Sequence, residues 1–328
     1  MNHGFKKIML VTDGAGTAHA AERTALNLAL RDIAEVMIVD TIRMQGRIEK
    51  WLVKSSDQMY ASLENEKQDY LDQLVTKFRD AGIKKVSAKL LHGNSSEQLT
   101  AESLRSNCDL LVRYRKGIDS SHPGLLGRTS LNLMRICPCP VLLVKEELVL
   151  DDPKVLACVD IHDAPPVNDE IIRAAEQING DSKSKIKLLY CWYMFGHRMM
   201  RRRMSSEHFE KLFEHIKSEH EQEFDQFLTR YKMNRSMPEV AFEFGEPEYT
   251  IAPFVKQNAI DITVMSTICP TTTVSRLLGS TIENVISELP SNLLAIKPPG
   301  FVSPIQLEKE TGEIIEPEGV EFSMPRVI

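Results

Sequence analysis

Two short segments of the sequence place a glycine directly before a helical pattern. Gly279-Ser280 follows a leucine pair and precedes a stretch with Glu283 in its first turn, and Gly127-Arg128 stands before a similar stretch. The first turn of a helix offers unpaired backbone N–H groups and the positive end of the helix dipole, so it suits an anion such as a phosphate. Both segments are candidate phosphate sites, with the alternative that Gly and Ser only start the helix.

The chain repeats itself, and the two segments belong to the repeat. The runs IMLVTD and VLACVD place Asp13 and Asp160 147 residues apart, while Gly127 and Gly279 are 152 residues apart. Two copies of one domain explain such offsets better than chance. We predict a first domain over 1–148, a second over 149–303, and an acidic tail over 304–328 that forms a strap or a mobile extension.

Within each copy, short β-rich runs alternate with helical patterns. Strands are predicted near 7–12, 35–40, 85–91, 109–113 and 140–144, and again near 154–159, 185–191, 238–244, 261–265 and 292–296. The alternation predicts an α/β fold of two Rossmann-like domains, each a five-stranded parallel sheet with helices on both faces and ligand sites at the carboxyl ends of the strands. We expect the copies to pair through their last strands into an intramolecular pseudo-dimer, and a further homodimer stays open.

Composition narrows the range of partners. The 328-residue chain has 42% hydrophobic residues, a net charge of −6 and a pI near 5.9, which give no general attraction to nucleic acid or anionic lipid. No apolar run approaches the roughly 20 residues of a membrane helix, and the first residues turn into a strand pattern instead of a signal peptide. We therefore expect a cytoplasmic protein whose six cysteines stay reduced, with no nucleic-acid or membrane partner.

Two further clusters contain residue types that could bind a metal ion or an anion. His220 lies in the apolar stripe of a long helical pattern with His208 and His215 nearby, but no Cys or acidic set converges on it in the sequence. A hydrogen-bonded interface histidine is the favoured interpretation, and no metal site is assigned. The basic segment HRMMRRRM (197–204) is interpreted as a solvated loop, with an anion or partner contact as the alternative.

The closing blocks of the two copies carry a family resemblance. GRTSLNLMRICPCPVLLVK (127–145) and GSTIENVISELPSNLLAIKPP (279–299), together with the aspartate after the first strand, resemble the universal stress protein family in its tandem form. The resemblance covers nearly all of residues 5–300. It implies adenine-nucleotide alpha-hydrolase-like domains, a role in stress tolerance, and ATP or AMP as the ligand.

In nucleotide-binding members of that family, the strand-one aspartate lies near the adenosine and a G-x2-G-x9-G-[ST] loop surrounds the phosphates. In the second copy the resemblance assigns Asp160, Ser266, Cys269, Gly279 and Ser280 to these positions. A left-handed backbone at the serine and the cysteine would cost roughly 1–2 kcal/mol each, because both carry a β-carbon.

The first copy keeps Asp13, Gly117 and Gly127 but has Tyr114 at the first glycine position and Arg128 in place of the hydroxyl residue. Arg128 either binds a phosphate or fills the space. Each copy thus keeps part of the loop, and binding is favoured in the second. The strand-one aspartates have the alternative of capping the turn that follows.

The leading hypothesis is a binding module that holds a small ligand and acts through an unidentified protein partner. Enzymatic activity stays open and is not favoured, because the sequence has no P-loop and no evident base beside the phosphate position. The alternatives are a weak nucleotide hydrolase and a binder of a nucleotide-sugar or lipid-derived phosphate. For the last, Met199, Met200 and Met204 would lie near the mouth of the crevice.

Overall fold

The structure is a computed structural model and describes residues 4–13, 18–42, 56–115, 126–162, 165–267, 280–308 and 311–315. Its strands are β1 (Lys7–Val11), β2 (Glu35–Ile42), β3 (Val86–His92), β4 (Leu110–Tyr114), β5 (Val141–Val144), β6 (Val155–Val159), β7 (Lys187–Trp192), β8 (Val240–Phe244), β9 (Ile262–Ser266) and β10 (Asn292–Ile296). Every strand begins and ends within two residues of its predicted bounds. The strand predictions are therefore confirmed.

The helices alternate with the strands along the chain. They are α1 (His19–Asp32), α2 (Ser56–Asp80), α3 (Ser95–Ser106), α4 (Arg128–Ile136), α5 (Pro165–Asn179), α6 (His197–Arg203), α7 (Ser206–Arg230), α8 (Pro247–Gln257) and α9 (Ser280–Glu288). No helix in the described part of the chain has the length and apolar content that a membrane span requires.

All ten strands form one sheet in the order β3-β2-β1-β4-β5-β10-β9-β6-β7-β8. Within β1–β5 and within β6–β10 every pairing is parallel, as the strand–helix alternation predicts. In each half the strand order reverses direction beside the first strand, between β1 and β4 and between β6 and β9. Such a reversal opens a crevice at the carboxyl ends of the strands, so each half has one candidate ligand site.

The halves join through an antiparallel pairing of β5 with β10, in which Leu142 lies opposite Leu294. This is the predicted contact between the last strands of the two copies. Polar side chains reinforce it: Oδ1 of the buried Asn292 accepts the backbone N–H groups of Lys145 at 2.8 Å and Glu146 at 3.1 Å.

A second contact between the halves lies on one face of the sheet, where α1 meets the end of α5. The guanidinium of Arg31 donates to the backbone carbonyls of Ile178 at 2.7 Å and Gln177 at 2.8 Å. These carbonyls belong to the last turn of α5, where a cation satisfies groups that the helix leaves unpaired.

Alternate strand residues face two separate cores. Ile8 and Leu10 pack into one core with α1, α2, α5 and α7, whereas Met9 and Val11 pack into the other with α3, α4, α8 and α9. Each core continues from one half into the other. The strands are apolar on both sides because both faces of a parallel sheet are covered by helices.

Two glycines shape the chain before α3 and α8. Gly93 has φ +122° and Gly245 has φ +148°, and their N–H groups donate to the carbonyls of Ile42 and Trp192. An L-amino acid rarely adopts these angles, which accounts for the glycine at both places. Each glycine thus lies in the turn that leads from a strand into the following helix.

The prediction that the basic segment 197–204 forms a loop is wrong. Residues 197–203 form the helix α6, and none of its residues is buried. Met and Arg are good helix formers, which explains why the segment is helical despite its charge. Part of the acidic tail lies on the first half, where Nε of Arg105 donates to the carbonyl of Gly312 at 2.7 Å. The division into domains at 148 and 303 stays a prediction.

Candidate functional site

In the first half, four charged side chains gather where β1, β2 and β4 end. Asp13 follows β1, Asp40 lies near the end of β2, and Arg113 lies near the end of β4, paired with Val11 of β1. Lys67 reaches the same place from α2. Parallel strands end at the same edge, so four residues that are distant in sequence become neighbours.

The strongest contact in this group is a buried ion pair. Nζ of Lys67 donates to Oδ2 of Asp40 at 2.7 Å, with the two side chains 14% and 3% exposed. The same ammonium lies 3.4 Å from the backbone carbonyl of Asp13. Burial raises the pKa of Asp40, and Lys67 opposes that shift. The pair satisfies both charges, and it fills space beside the strand-one aspartate.

Arg113 completes the charged floor of the first crevice. Burial lowers its pKa, while the negative charges of Asp13 and Asp40 favour its charged form. Its Nε atom is buried and makes no hydrogen bond within the described residues. In the first crevice, the cationic side chains of Lys67 and Arg113 therefore lie at the place where the strand order reverses.

Two further predicted site residues of the first half, Gly127 and Arg128, lie at the start of the helix α4. Gly127 is its N-cap residue with an extended backbone (φ −61°, ψ 140°), and the Arg128 side chain is exposed to solvent. The two alternatives for Arg128, binding a phosphate or filling the space of the loop, both stay predictions. Gly117 lies outside the described residues.

In the second half, Asp160 follows β6 and is exposed. Its Oδ1 atom accepts the backbone N–H of His162 at 3.0 Å, and the buried Asn168 bonds both its N–H and its carbonyl. The turn-capping role considered for this aspartate is present. Capping uses one carboxylate oxygen and fixes the backbone, so the exposed carboxylate is held at the mouth of the crevice.

The walls of the second crevice are aromatic where the first is charged. Tyr190 lies two residues before the end of β7, as Asp40 lies two residues before the end of β2. The Tyr190 hydroxyl contacts Nδ1 of His220 on α7 at 2.9 Å, as Asp40 contacts Lys67 on α2. In each half, then, the second strand is linked to the long helix, by an ion pair in one and by a neutral hydrogen bond in the other.

Packing around Trp192 extends the aromatic wall. The centroid of its ring lies 5.5 Å from that of Phe213, 5.5 Å from that of Phe242 and 4.8 Å from that of Phe244. Met265, 152 residues after Arg113, is buried at the corresponding position of β9. The second crevice therefore has an apolar side chain where the first has a guanidinium.

Other ionisable groups of the second crevice are affected by burial. Burial lowers the pKa of His220, and the neighbouring His162 adds to that shift. Burial also raises the pKa of Tyr190. Both shifts favour the neutral forms at neutral pH.

The structure describes the first and last residues of the phosphate loop predicted for the second half, Ser266 and Ser280. Ser266 is the last residue of β9 and pairs with Ile296 of β10, so its backbone is extended and avoids the left-handed strain expected there. At the far end, α9 begins at Ser280, as the glycine–serine pattern predicts. Cys269 and Gly279 lie outside the described residues.

Sequence reasoning missed several residues of these crevices. Asp40 is a charged residue inside the apolar run EVMIVDTI, and Arg113 follows the apolar run CDLLV. A charge at the carboxyl end of a buried strand is a signal that could have identified both. Lys67, His162 and Tyr190 carry no such signal, because their roles depend on contacts between distant segments.

Exposed apolar side chains lie at the same edge of the second half. Phe195 is 86% exposed, Met199 51% and Phe244 42%. Phe195 follows β7 and Phe244 ends β8, so both are at the carboxyl edge of the sheet. Isolated exposed apolar residues are ordinary, but Phe195 and Met199 are four residues apart, and Phe244 ends a strand at the same edge of the sheet as Phe195.

Comparison with known proteins gives the family context. Residues 4–145 match the model of the universal stress protein family. Universal stress protein E of Escherichia coli strain K12 is 24% identical over 243 residues, which cover 71% of this chain and 74% of that protein. A homolog of universal stress protein E from Haemophilus influenzae is 25% identical over 239 residues, covering 70% and 74%.

Solved structures agree in fold. A protein of unknown function from Pseudomonas aeruginosa PAO1 superposes with a TM-score of 0.69 at 20% identity, covering 90% of this chain and 94% of its own. A universal stress protein from Archaeoglobus fulgidus gives a TM-score of 0.62 at 16% identity, covering 89% and 98%. The tandem α/β fold and the resemblance to universal stress proteins are thereby confirmed.

Proposed function

We propose that this chain, a tandem relative of the universal stress proteins, binds an adenine nucleotide, ATP or AMP, in the crevice of its second half. The observation that carries the proposal is the position of Asp160, an exposed carboxylate fixed at the carboxyl end of β6, where the strand order reverses. Open α/β sheets bind ligands at this place.

The surroundings of Asp160 fit a nucleoside better than those of Asp13 do. A carboxylate accepts hydrogen bonds from ribose hydroxyl groups, and one Asp160 oxygen is used by the turn while the side chain stays exposed. In the first half, the Asp40–Lys67 pair and Arg113 occupy the crevice floor. In the second half, Tyr190 and Met265 provide neutral walls at the corresponding places.

The phosphates would lie toward the start of α9. A helix start supplies N–H donors and a positive dipole end, and Ser280 is the first residue of that helix. Ser266 would lie on the opposite side, at the end of β9. We propose Cys269 and Gly279 as the remaining contacts, on the family pattern, and we propose Asp13, Gly117, Gly127 and Arg128 as a weaker site.

The biological role proposed is that of a cytoplasmic stress-response protein that acts through protein partners. A binding role is favoured over catalysis because Asp160 and the start of α9 hold a ligand by hydrogen bonds and the helix dipole, and the Tyr190 hydroxyl that pairs with His220 belongs to a residue only 3% exposed. The pseudo-dimer already formed within the chain supplies the strand pairing that a single-domain protein would need a second copy to make.

One observation favours a second candidate ligand. Phe195, Met199 and Phe244 expose apolar surface at the edge of the same crevice. Flexible methionines accommodate varied apolar groups, so a nucleotide-sugar or a lipid-derived phosphate would find both a polar and an apolar wall here.

Native mass spectrometry of the protein, with and without added ATP, tests the proposal. We expect one nucleotide mass per chain, released by heat denaturation and identified as ATP or AMP. A co-purified mass with an acyl or sugar moiety would support the second candidate instead. Absence of any nucleotide mass at saturating ATP would contradict the proposal.

A further inference from the structure

Three potential metal ligands come together at the edge of the second crevice. His162 lies in the turn after β6, and His220 and Glu223 lie one helical turn apart on α7. One ligand atom from each side chain can be chosen so that all three lie within 4.8 Å of one another. No Cys or acidic set was expected to converge on His220, but the fold brings His162 to it from another segment, and Glu223 lies one helical turn away.

The backbone that carries His162 is fixed. Its N–H donates to the Asp160 carboxylate at 3.0 Å, and Asn168 bonds the main chain of Asp160 on both sides. The imidazole of His162 faces that of His220 edge-on, with ring centroids 5.9 Å apart. The turn therefore directs one histidine toward the helix that carries the other two ligands.

His220 is oriented by a hydrogen bond at one ring nitrogen. The Tyr190 hydroxyl lies 2.9 Å from Nδ1, and the Tyr190 ring is itself buried against Phe224 at 5.1 Å and Phe242 at 5.9 Å. Histidines that bind metals usually use one nitrogen for the metal and the other for such a partner, which sets the tautomer. Tyr190 thus leaves Nε2 as the nitrogen available to a cation.

The donor set selects a class of cation. Two imidazole nitrogens and one carboxylate oxygen suit Zn²⁺ and the similar ions Co²⁺ and Ni²⁺, whereas Mg²⁺ and Ca²⁺ prefer oxygen ligands throughout. In a tetrahedral zinc site, bonds of about 2.1 Å place ligand atoms roughly 3.4 Å apart. His162 and Glu223 are exposed and can rotate inward by the small distance required.

We propose that His162, His220 and Glu223 form a binding site for a divalent transition cation, with zinc as the ion that fits best. Three protein ligands leave one coordination position to water or to an anionic ligand group. The site stands on its own residues and does not depend on nucleotide binding. Tyr190 is a positioning residue of this site.

The proposal is tested by titrating the protein with Co²⁺ and then with Zn²⁺. The protein is first stripped of metal by a chelator, and it is free of nucleotide and fully reduced. We expect one equivalent of Co²⁺ to give visible absorption bands without the near-ultraviolet bands of thiolate ligation, and Zn²⁺ to displace it. His162→Gln and Glu223→Gln, both at exposed positions, should each weaken Co²⁺ binding at least tenfold. Tyr190→Phe should weaken it by about tenfold without removing a ligand.

The same helix offers a matched control. His215 and Glu219 form an exposed pair at 3.5 Å on α7, and His215→Gln should leave Co²⁺ affinity unchanged. Circular dichroism of each variant checks that the fold is retained. Equal losses in His215→Gln and His162→Gln, unchanged binding in both His162→Gln and Glu223→Gln, or thiolate bands in the wild-type spectrum would each overturn the proposal.

Discussion

Leu142 of β5 lies directly opposite Leu294 of β10, in the antiparallel pairing that makes one ten-stranded sheet from two parallel halves. Both side chains are fully buried. The pairing closes the inner edge of each half, which would otherwise present unpaired backbone groups. Because the halves share a sheet and two cores, the two crevices are held at fixed positions in one body.

Asn292→Ala should weaken this junction. The substitution removes the acceptor of two partly buried hydrogen bonds, those donated by the backbone N–H groups of Lys145 and Glu146. We expect the free energy of unfolding to fall by about 1–3 kcal/mol. Urea denaturation measures the loss, and Asn284→Ala, at an exposed position on α9, should change it by no more than about 0.5 kcal/mol. Equal effects of the two substitutions would argue against the role assigned to Asn292.

Lys67→Met should be more costly, because it leaves the carboxylate of Asp40 buried without its partner. The expected loss in unfolding free energy is about 3–5 kcal/mol, and a second substitution, Asp40→Asn, should recover most of it. The control is Lys211→Met, which breaks an exposed pair with Glu207 and should cost less than about 1 kcal/mol. A double variant as unstable as Lys67→Met alone would contradict this account.

Lys297 should make stability rise with pH in the alkaline range. Burial lowers its pKa to about 8, while its ammonium donates to Oγ1 of Thr267 at 2.8 Å. The unfolded chain has a lysine pKa of about 10.4, so between pH 8 and about 10 the unfolded state binds more protons than the folded one. Stability contributed by this residue therefore increases across that window, by at most about 3 kcal/mol.

Lys297→Met isolates that contribution from other groups that titrate above pH 8. The variant should be more stable than the wild type at pH 7.5, and the difference should shrink toward pH 10. Urea denaturation at several pH values, with the cysteines kept reduced, measures both. A difference that does not change with pH would show that Lys297 titrates normally.

The strands and the pairing of the halves could be predicted from the sequence. Short apolar runs such as IMLVTD and VLACVD bound β1 and β6 closely, because a parallel strand covered on both faces must be apolar throughout. The repeat then fixed which strands correspond, so that β5 and β10 were expected to meet. The extra helix α6 was missed because its arginines indicated a solvated loop.

The crevices could be predicted only in part. The position of each strand-one aspartate followed from strand order, since the carboxyl ends of parallel strands share an edge. What surrounds them did not, because Lys67 reaches Asp40 across 27 residues and His220 reaches Tyr190 across 30. Such contacts depend on how the long helices α2 and α7 lie on the sheet, and residue spacing alone does not specify that.

The central claim is that the second half binds an adenine nucleotide at Asp160, and calorimetric titration of ATP tests it most directly. We expect one saturable site in the wild type and in Asp13→Ala, and at least tenfold weaker binding in Asp160→Ala. Asp160→Asn keeps an acceptor for the N–H of His162 but lacks the charge, so it should also bind weakly. No binding heat in the wild type, full binding in Asp160→Asn, or a loss confined to Asp13→Ala would contradict the claim.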